Sequence, residues 1–570
     1  MQFRIPFIQH FKNYNSKIFK QDLVGGLTVG VMLIPQGMAY AYIAEIPPVY
    51  GLYASIVPLL IYMLLGTSKY AAIGPAALTS LLVITGLNQA GITGQENFLN
   101  AVFIIALLSG LVQLLMGVFK LGMIVNFISK PVLKGFIFGA ALTIFLSQVK
   151  SATGIQIDTN GSFDTLLALG ANLTTLNIYT LIISVLSIAF LFYMKRFSKR
   201  IPNQLIVLFV TLFVVYLFGM ESKNVSILGE IPEGLPSFFI PTADWSLIKT
   251  LLPVSITIGF ISFVEVYAIG VSLEDKKDAG SLQPNQELIA LGLSKFIGAF
   301  FHAYPTSSSF SRSAVNKQAG TKTNLSTFFT VTLVVLTLLF LTPYFYYLPK
   351  AALAAIIIVA IIGLMDFHYL RRLWLIDKRD FIMFAVTGLV TFLVGVQAGI
   401  ITGVILSIMS LVYSISNPHA AEIARVNGSD DFRNRERHSN LELDDHILIY
   451  RFDAPLTFIN VSYFTKKLKQ FASKKNELHD VIINASAIDS MDTTSIEAFK
   501  LLVEEYTKQD VRIIITCLKG PVRDKFELMN LFEYVGKENF FSSDINALKA
   551  IKEGGNDTDS DVLFQSNPKD

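Results

Sequence analysis

Between residues 23 and 416 the chain is a succession of apolar runs, starting near positions 23, 51, 74, 98, 124, 177, 202, 249, 286, 307, 323, 351, 380 and 398. Each is long enough to cross or partly cross a bilayer. Inside hydrocarbon a peptide N–H or C=O finds no water, so every run has to close its own hydrogen bonds as a helix. The pattern predicts a polytopic α-helical membrane protein of about fourteen spans. Hydrophobic residues make up 52% of the chain and charged ones 16%, a balance that excludes a soluble protein throughout. The runs at 23, 74, 249 and 307 are shortened or broken by Pro, Gly or polar residues. A membrane tolerates such breaks only where the backbone is buried in protein or lines a cavity, so these four runs should build the functional site.

Charge divides the chain. Dense clusters of Lys, Arg, Asp and Glu come almost entirely after position 417, which predicts a soluble domain behind the membrane part. The expected divisions are a basic amphipathic N-terminus at 1–21, a transmembrane domain at 22–416, a linker at 417–440, a soluble domain at 441–553 and a polar, unstructured tail at 554–570. Within the membrane part, Lys69, Lys120, the run 195–200, Lys276, Lys277, Lys317, Lys322, Arg371, Arg372, Lys378 and Arg379 fall on even-numbered connections. Odd connections carry isolated lysines such as Lys150, Lys223 and Lys350. The positive-inside rule then puts both termini in the cytoplasm of a cell whose inner (plasma) membrane holds the protein, with the first span acting as its own insertion signal. A net charge of +3 spread over short loops gives no case for nucleic acid, and the single Cys517 excludes an intrachain disulfide and a thiolate metal cluster.

Two interrupted runs open on related sequences, Gly74-Pro75-Ala76-Ala77-Leu78-Thr79-Ser80 and Tyr304-Pro305-Thr306-Ser307-Ser308-Ser309-Phe310-Ser311-Arg312. Proline suits the first position of a helix, because its missing N–H would have no intrahelical partner there. The free N–H groups that follow concentrate positive partial charge, so a pair of such ends is a site for an anion. A shift of about 230 residues lays Gln36 beside Glu265 and Pro75 beside Pro305, the mark of two repeats of seven spans. An odd number of spans inverts the second repeat, so the two half-helices approach the bilayer midplane from opposite sides.

These residues resemble a known family. Ile34-Pro35-Gln36-Gly37-Met38-Ala39-Tyr40-Ala41 and Pro47-Pro48-Val49-Tyr50-Gly51-Leu52-Tyr53-Ala54-Ser55 are similar to the signature of SulP anion permeases. The likeness extends through Ile73–Ala77, Ser129–Phe136, Phe263–Glu265 and Ser309–Ser313, and the soluble part resembles a STAS domain. The resemblance implies a homodimer in which a core domain (spans 1 to 4 and 8 to 11) moves against a gate domain (spans 5 to 7 and 12 to 14). It also implies a small anion held between the N-termini of spans 3 and 10. Carried over by position, Gln36 and Tyr40 line that site from span 1, Ala76 and Ala77 from the tip of span 3, and Ser309, Phe310, Ser311 and Arg312 from span 10.

Glu265 is a carboxylate expected near the midplane, where it costs several kcal/mol unless it is protonated, paired or hydrated. Its functional reading is proton coupling of anion uptake, and its plain reading is charge neutralisation of Arg312. Ile269, one turn on, replaces the hydroxyl that a sodium site of this family would use. Arg312 adds a full positive charge to the helix ends, with snorkelling toward the cytoplasm as the alternative. Glu45, Lys130, His302 and His368 lack companions at useful spacing, and no nucleotide loop, nucleophile pair, metal site or cofactor motif is present, so an enzyme or ATP-driven pump is not supported. The expected function is secondary active transport by alternating access, with sulfate the first substrate, proton the coupling ion, and bicarbonate, a dicarboxylate or an uncoupled anion channel as alternatives. In the soluble part, strand and helix alternate from Ile447 to Leu531, and Asp492-Thr493-Thr494-Ser495 resembles the phosphorylated helix start of STAS anti-sigma-factor antagonists. Thr493 is the matching position; the plain reading is a helix cap in a docking or dimer-stabilising domain.

Overall fold

The computed structural model describes residues 14–92, 95–123, 129–155, 157, 162–197, 203–230, 232–274, 282–363 and 365–553. Most of the expected amphipathic N-terminus, Lys276 and Lys277, and all of the tail at 554–570 lie outside these residues. The chain forms two compact units, Met1–Ser407 and Ile408–Asp570.

Fourteen helices among the described residues follow the apolar runs. They are α1 (Ser16–Ile43), α2 (Val57–Leu65, preceded by a turn of helix at Val49–Tyr53), α3 (Ala77–Gln89), α4 (Gln95–Val118), α5 (Lys130–Thr153), α6 (Ile178–Phe197), α7 (Asn203–Leu217), α8 (Trp245–Leu273), α9 (Pro284–Ala299), α10 (Phe310–Gln318), α11 (Ser326–Phe340), α12 (Lys350–Ile362), α13 (Lys378–Leu393) and α14 (Val396–Ser416). Six helices among the described residues are long and apolar enough to cross a bilayer singly. The others are shortened, as α3 and α10 are, or carry more polar faces.

Packing follows the repeat. In one group α1 lies against α11, α4 against α8 and α9, and α2 against α9; in the other α5 lies against α12 and α13, and α6 against α12. Small residues bring the helices together, since apolar burial gives no selective force between helices in lipid. A Cβ on Gly110 would come within 2.6 Å of the Phe296 nitrogen, and one on Gly292 within 2.7 Å of the Leu114 nitrogen, so α4 and α9 touch backbone to backbone. Gly135 and Gly139 do the same for α5 against Phe384 and Gly388 of α13.

Buried carboxylates tie loops to these helices. Asp22 accepts from the backbone N–H of Lys322 (2.8 Å) and Thr323 (3.1 Å) and from the Thr323 hydroxyl (2.5 Å). Glu287 accepts from the Tyr62 hydroxyl (2.7 Å), the Thr67 N–H and hydroxyl (both 2.6 Å) and the Ser68 N–H (3.1 Å). Four donors on one carboxylate nearly saturate its lone pairs, and bonds of this kind assign both acids to architecture.

The prolines do not open the half-helices as the sequence suggests. Pro75 and Pro305 precede α3 and α10 by two and five residues, and beside them stand two short strands, β1 (Ile73–Gly74) and β2 (Ser307–Ser308). They pair antiparallel, Ile73 opposite Ser308 and Gly74 opposite Ser307. The extended backbone that this pairing needs delays the helix starts, to Ala77 and Phe310. Gly74 adopts φ +144°, a conformation closed to residues with a Cβ, and brings the backbone close to Leu33 and Arg312.

The second unit is an α/β domain. Its strands β3 (Ala420–Val426), β4 (Phe432–Asn434), β5 (Leu441–Glu442), β6 (Ile447–Phe452), β7 (Asp480–Asn484), β8 (Arg512–Thr516) and β9 (Phe540–Phe541) form one sheet in the order β4-β3-β6-β7-β8-β9, with β5 also on β3. β6 to β9 run parallel and β3 antiparallel to β6. Helices α15 (Val461–Ala472), α16 (Thr493–Thr507), α17 (Gly520–Leu528) and α18 (Asp544–Glu553) complete it. The strands are apolar on both sides because both faces are covered. Leu448, Tyr450, Val481 and Ile513 pack toward Phe464, Phe499 and Phe526, while Ile449, Ile482 and Ile514 meet Ala547 and Ile551. The stretch at 417–440 is therefore no linker: β3 and β4 belong to the sheet, and their short, charged sequences carry too little alternation to reveal it.

Candidate anion site

Four interrupted elements meet at β1 and β2. The N-cap residues of α3 and α10 are Ala76 and Ser309, both extended and neither giving a side-chain cap. The first-turn N–H groups have no intrahelical acceptor, so those of Ala77, Leu78 and Thr79 and of Phe310, Ser311 and Arg312 remain as donors. Ser80 and Ser313 make the first helical bonds, to the carbonyls of Ala76 (3.0 Å) and Ser309 (2.9 Å). Ala76 and Ala77 are buried, whereas Phe310 and Ser311 are exposed.

Arg312 is the third residue of α10, within its first turn and not beyond it as a helix opening at Pro305 would have it, and it is fully buried. Its Nη1 donates to Gln36 Oε1 (3.0 Å) and its Nη2 to the Pro75 carbonyl (2.8 Å), so one guanidinium joins α1, the β1–α3 turn and α10. Its Nε–H has no acceptor among the described residues. Snorkelling is excluded by this burial. Gln36 passes the chain on: its Nε2 donates to Gln204 Oε1 (3.1 Å), at the start of α7.

Glu265 is half-buried on α8 and accepts from the Ser307 hydroxyl at 2.5 Å. Arg312 spends its two Nη contacts on Gln36 and Pro75, so the arrangement is not a direct Glu265–Arg312 ion pair, although each lies within the other's field. Gln36 and Glu265 stand at the same place in α1 and α8, each twenty residues beyond the helix start. Pro35 and Pro253 interrupt the backbone bonding of those two helices. Tyr40 is buried one turn beyond Gln36.

The serines divide by role. Ser308 and Ser313 bond each other (3.0 Å), and Ser313 accepts from the Ala72 N–H (2.9 Å), so they fasten β1 to α10. Ser309 and Ser311 bond each other at 3.1 Å on the open side of the helix end. Sequence reasoning misses four participants. Tyr304 and Ser307 lie inside a motif already singled out, and bond Ser80 (3.1 Å) and Glu265 respectively. Gln204 follows Asn203 and Lys295 follows Ser294, each a short polar pair beside or within an apolar run and a weak signal. Glu45, Lys130 and His302 are not among the groups gathered here; His302 stacks on Phe239 at 4.3 Å. Among the described residues no three His, Cys, Asp or Glu side chains gather for a metal.

In the second unit Thr493 is the exposed first residue of α16. Asp492 caps that helix, accepting from the Ser495 N–H (2.8 Å) and, with its other oxygen, from the Phe458 N–H (2.7 Å). Partial burial works to raise the Asp492 carboxyl, but these N–H bonds together with the Ser495 hydroxyl and the Lys525 charge outweigh it and hold the group below the usual aspartate range.

Uncapped helix ends and a buried guanidinium, enclosed in an inverted-repeat bundle, define a membrane transporter of small anions. The chain belongs to the sulfate permease family: that family's profile matches residues 19–387, and a STAS domain is matched at residues 438–545. It is 35% identical to the chloroplastic sulfate transporter 4.1 of Arabidopsis thaliana over 94% of this chain and 81% of that protein. It is 31% identical to the high affinity sulfate transporter 2 of Stylosanthes hamata over 95% of this chain and 85% of that protein. Among solved structures it resembles the murine Solute Carrier 26 family member A9 anion transporter in its inward-facing state, with a TM-score of 0.84, 26% identity, and coverage of 96% of this chain and 94% of that one. The transmembrane domain of a cyanobacterial bicarbonate transporter shares the fold, with a TM-score of 0.60 at 20% identity over 69% of this chain and 98% of that one.

Proposed function

We propose that the protein is a proton-coupled sulfate transporter working by alternating access, as a homodimer in the plasma membrane. The observation that carries this reading is the meeting of two uncapped helix N-termini over Arg312, with the Glu265 carboxyl held on the same loop by Ser307. A tetrahedral dianion needs several convergent donors. The first-turn N–H groups of α3 and α10, the Ser309 and Ser311 hydroxyls and the unshared Arg312 Nε–H supply them, with Gln36, Tyr40, Ala76, Ala77 and Phe310 shaping the space. Sulfate, rather than bicarbonate or a dicarboxylate, is favoured by the named activity of the plant relatives.

Coupling follows from charge. A dianion and an ionised Glu265 repel each other strongly in a poorly hydrated site, so sulfate binds best once Glu265 holds a proton, and a protonated Glu265 is held best when sulfate is present. The pair then crosses with less net charge than sulfate alone. The Gln36–Gln204 bond links α1 of the moving group to α7 of the other, and is one of the contacts that the movement has to exchange.

Radiolabelled sulfate uptake into proteoliposomes at outside pH 6 and 8, with and without sodium, tests the reading. Saturable uptake that is faster at pH 6, indifferent to sodium, and flattened across pH in Glu265→Gln supports it. Uptake of bicarbonate in preference to sulfate, or currents far above carrier turnover, would replace it with the bicarbonate or channel alternative.

A further inference from the structure

Lys295 on α9 is 1% exposed, a lysine enclosed in the membrane bundle and unable to reach an interface. Its ammonium donates to Gln113 Oε1 on α4 (2.8 Å) and to Ser262 Oγ on α8 (2.9 Å), both neutral acceptors. The surrounding bonds leave the lysine nitrogen as the donor in both contacts. Gln113 Nε2 donates to the Gly259 carbonyl (2.7 Å) and to Ser262 Oγ (3.1 Å), and Ser262 donates on to the Ile258 carbonyl (2.6 Å). Gln113 Oε1 and Ser262 Oγ are thereby left as acceptors toward Lys295.

A buried cation without a bonded carboxylate is costly, so the charged groups around Lys295 matter. Ser262 lies three residues before Glu265 on α8, which places the ammonium about one helical turn from the carboxyl. The other ionisable side chains on the elements packed around α8 and α9 are few. Tyr62 and Glu287 are bonded to each other, Arg312 holds Gln36 and Pro75, and Lys317 donates to the Leu273 carbonyl (2.6 Å). Tyr40 lies on the substrate side, and Lys249 and Tyr267 are on α8 itself. Glu265 is thus the carboxylate that Lys295 faces without a competing acid among the described residues, and each senses the other's charge.

We propose that Lys295 is a positioning residue for coupling: its ammonium, held beside Glu265 by Gln113 and Ser262, sets the pH at which Glu265 exchanges its proton. The inference rests on the reading of Glu265 as the proton carrier. With the ammonium in place the carboxylate form of Glu265 is stabilised, and the site releases its proton to a near-neutral cytoplasm; without it the proton is retained and turnover stalls in the loaded form. The backbone contact at Gly110 and Gly292 holds α4 and α9 so that the clamp cannot drift.

The test is the full pH profile, from about 5 to 9, of sulfate uptake by the full-length protein in proteoliposomes. Lys295→Gln keeps hydrogen-bonding capacity and removes the charge, and should move the midpoint about one unit toward alkaline pH. Lys295→Arg should stay near the wild-type midpoint. Gln113→Glu neutralises the ammonium in place, should shift the midpoint in the same direction, and decides the matter if Lys295→Gln does not fold. A folded charge-removing variant whose midpoint does not move overturns the role of Lys295. The coupling reading fails separately: Glu265→Gln retaining the wild-type pH profile would sink proton coupling whatever Lys295 does.

Discussion

In the proposed site one side chain, Arg312, serves both fold and ligand. Its Nη groups hold α1 and the β1–α3 turn while its Nε–H is left over for an anion. Lys cannot reproduce that fork, so Arg312→Lys should raise the sulfate KM at least about tenfold and leave a monodisperse protein, as sulfate uptake and size exclusion would show. Gly74→Ala puts a Cβ where φ is +144° and should lower sulfate binding through a displaced β1, which a binding isotherm would register. At this scale the sequence discloses Gln36, Glu265 and Arg312, because polar and charged groups inside apolar runs are conspicuous. It does not disclose Ser307, Gln204 or Lys295, whose importance lies in partners 42, 168 and 182 residues away. No local pattern records such distances.

The helices are legible as apolar runs, and their packing is not. Their starts can be read within a few residues from hydropathy, yet those of α3 and α10 cannot, because the pairing of β1 with β2 joins segments more than 230 residues apart. In the same way β3 reads as linker until its pairing with β6 is known. Gly110→Val tests the element scale most simply. The added atoms meet the backbone of α9, so the variant should lose several degrees of thermal stability in detergent or fail to assemble. Leu111, the next residue on α4, is exposed, and Leu111→Ala should be near neutral in the same melt. In the STAS domain, Asp492→Ala should cost about 1 kcal/mol as a lost helix cap. Because the Asp492 carboxyl is held low in the folded state, its contribution is present above the ordinary aspartate value of about 4 and is lost as pH falls through the folded value. Thermal unfolding of the full chain followed between neutral and acidic pH would show the wild type converging on the variant.

At the scale of the whole molecule, the proposal makes the repeated and inverted pair of half-helices one site that is reached in turn from either side of a membrane. In the proposed function the donors of that site favour a dianion, and the carboxyl beside them makes its charge conditional on a proton. Family membership and anion transport are secured by the match over residues 19–387 and by the solved relatives, while the substrate and the coupling ion belong to the proposal. The most direct measurement is proton movement itself. In proteoliposomes carrying the full-length protein and an internal pH-sensitive dye, an inward sulfate gradient should acidify the lumen, and Glu265→Gln should abolish that acidification. Sulfate entry without acidification, or equal acidification in Glu265→Gln, would contradict the account.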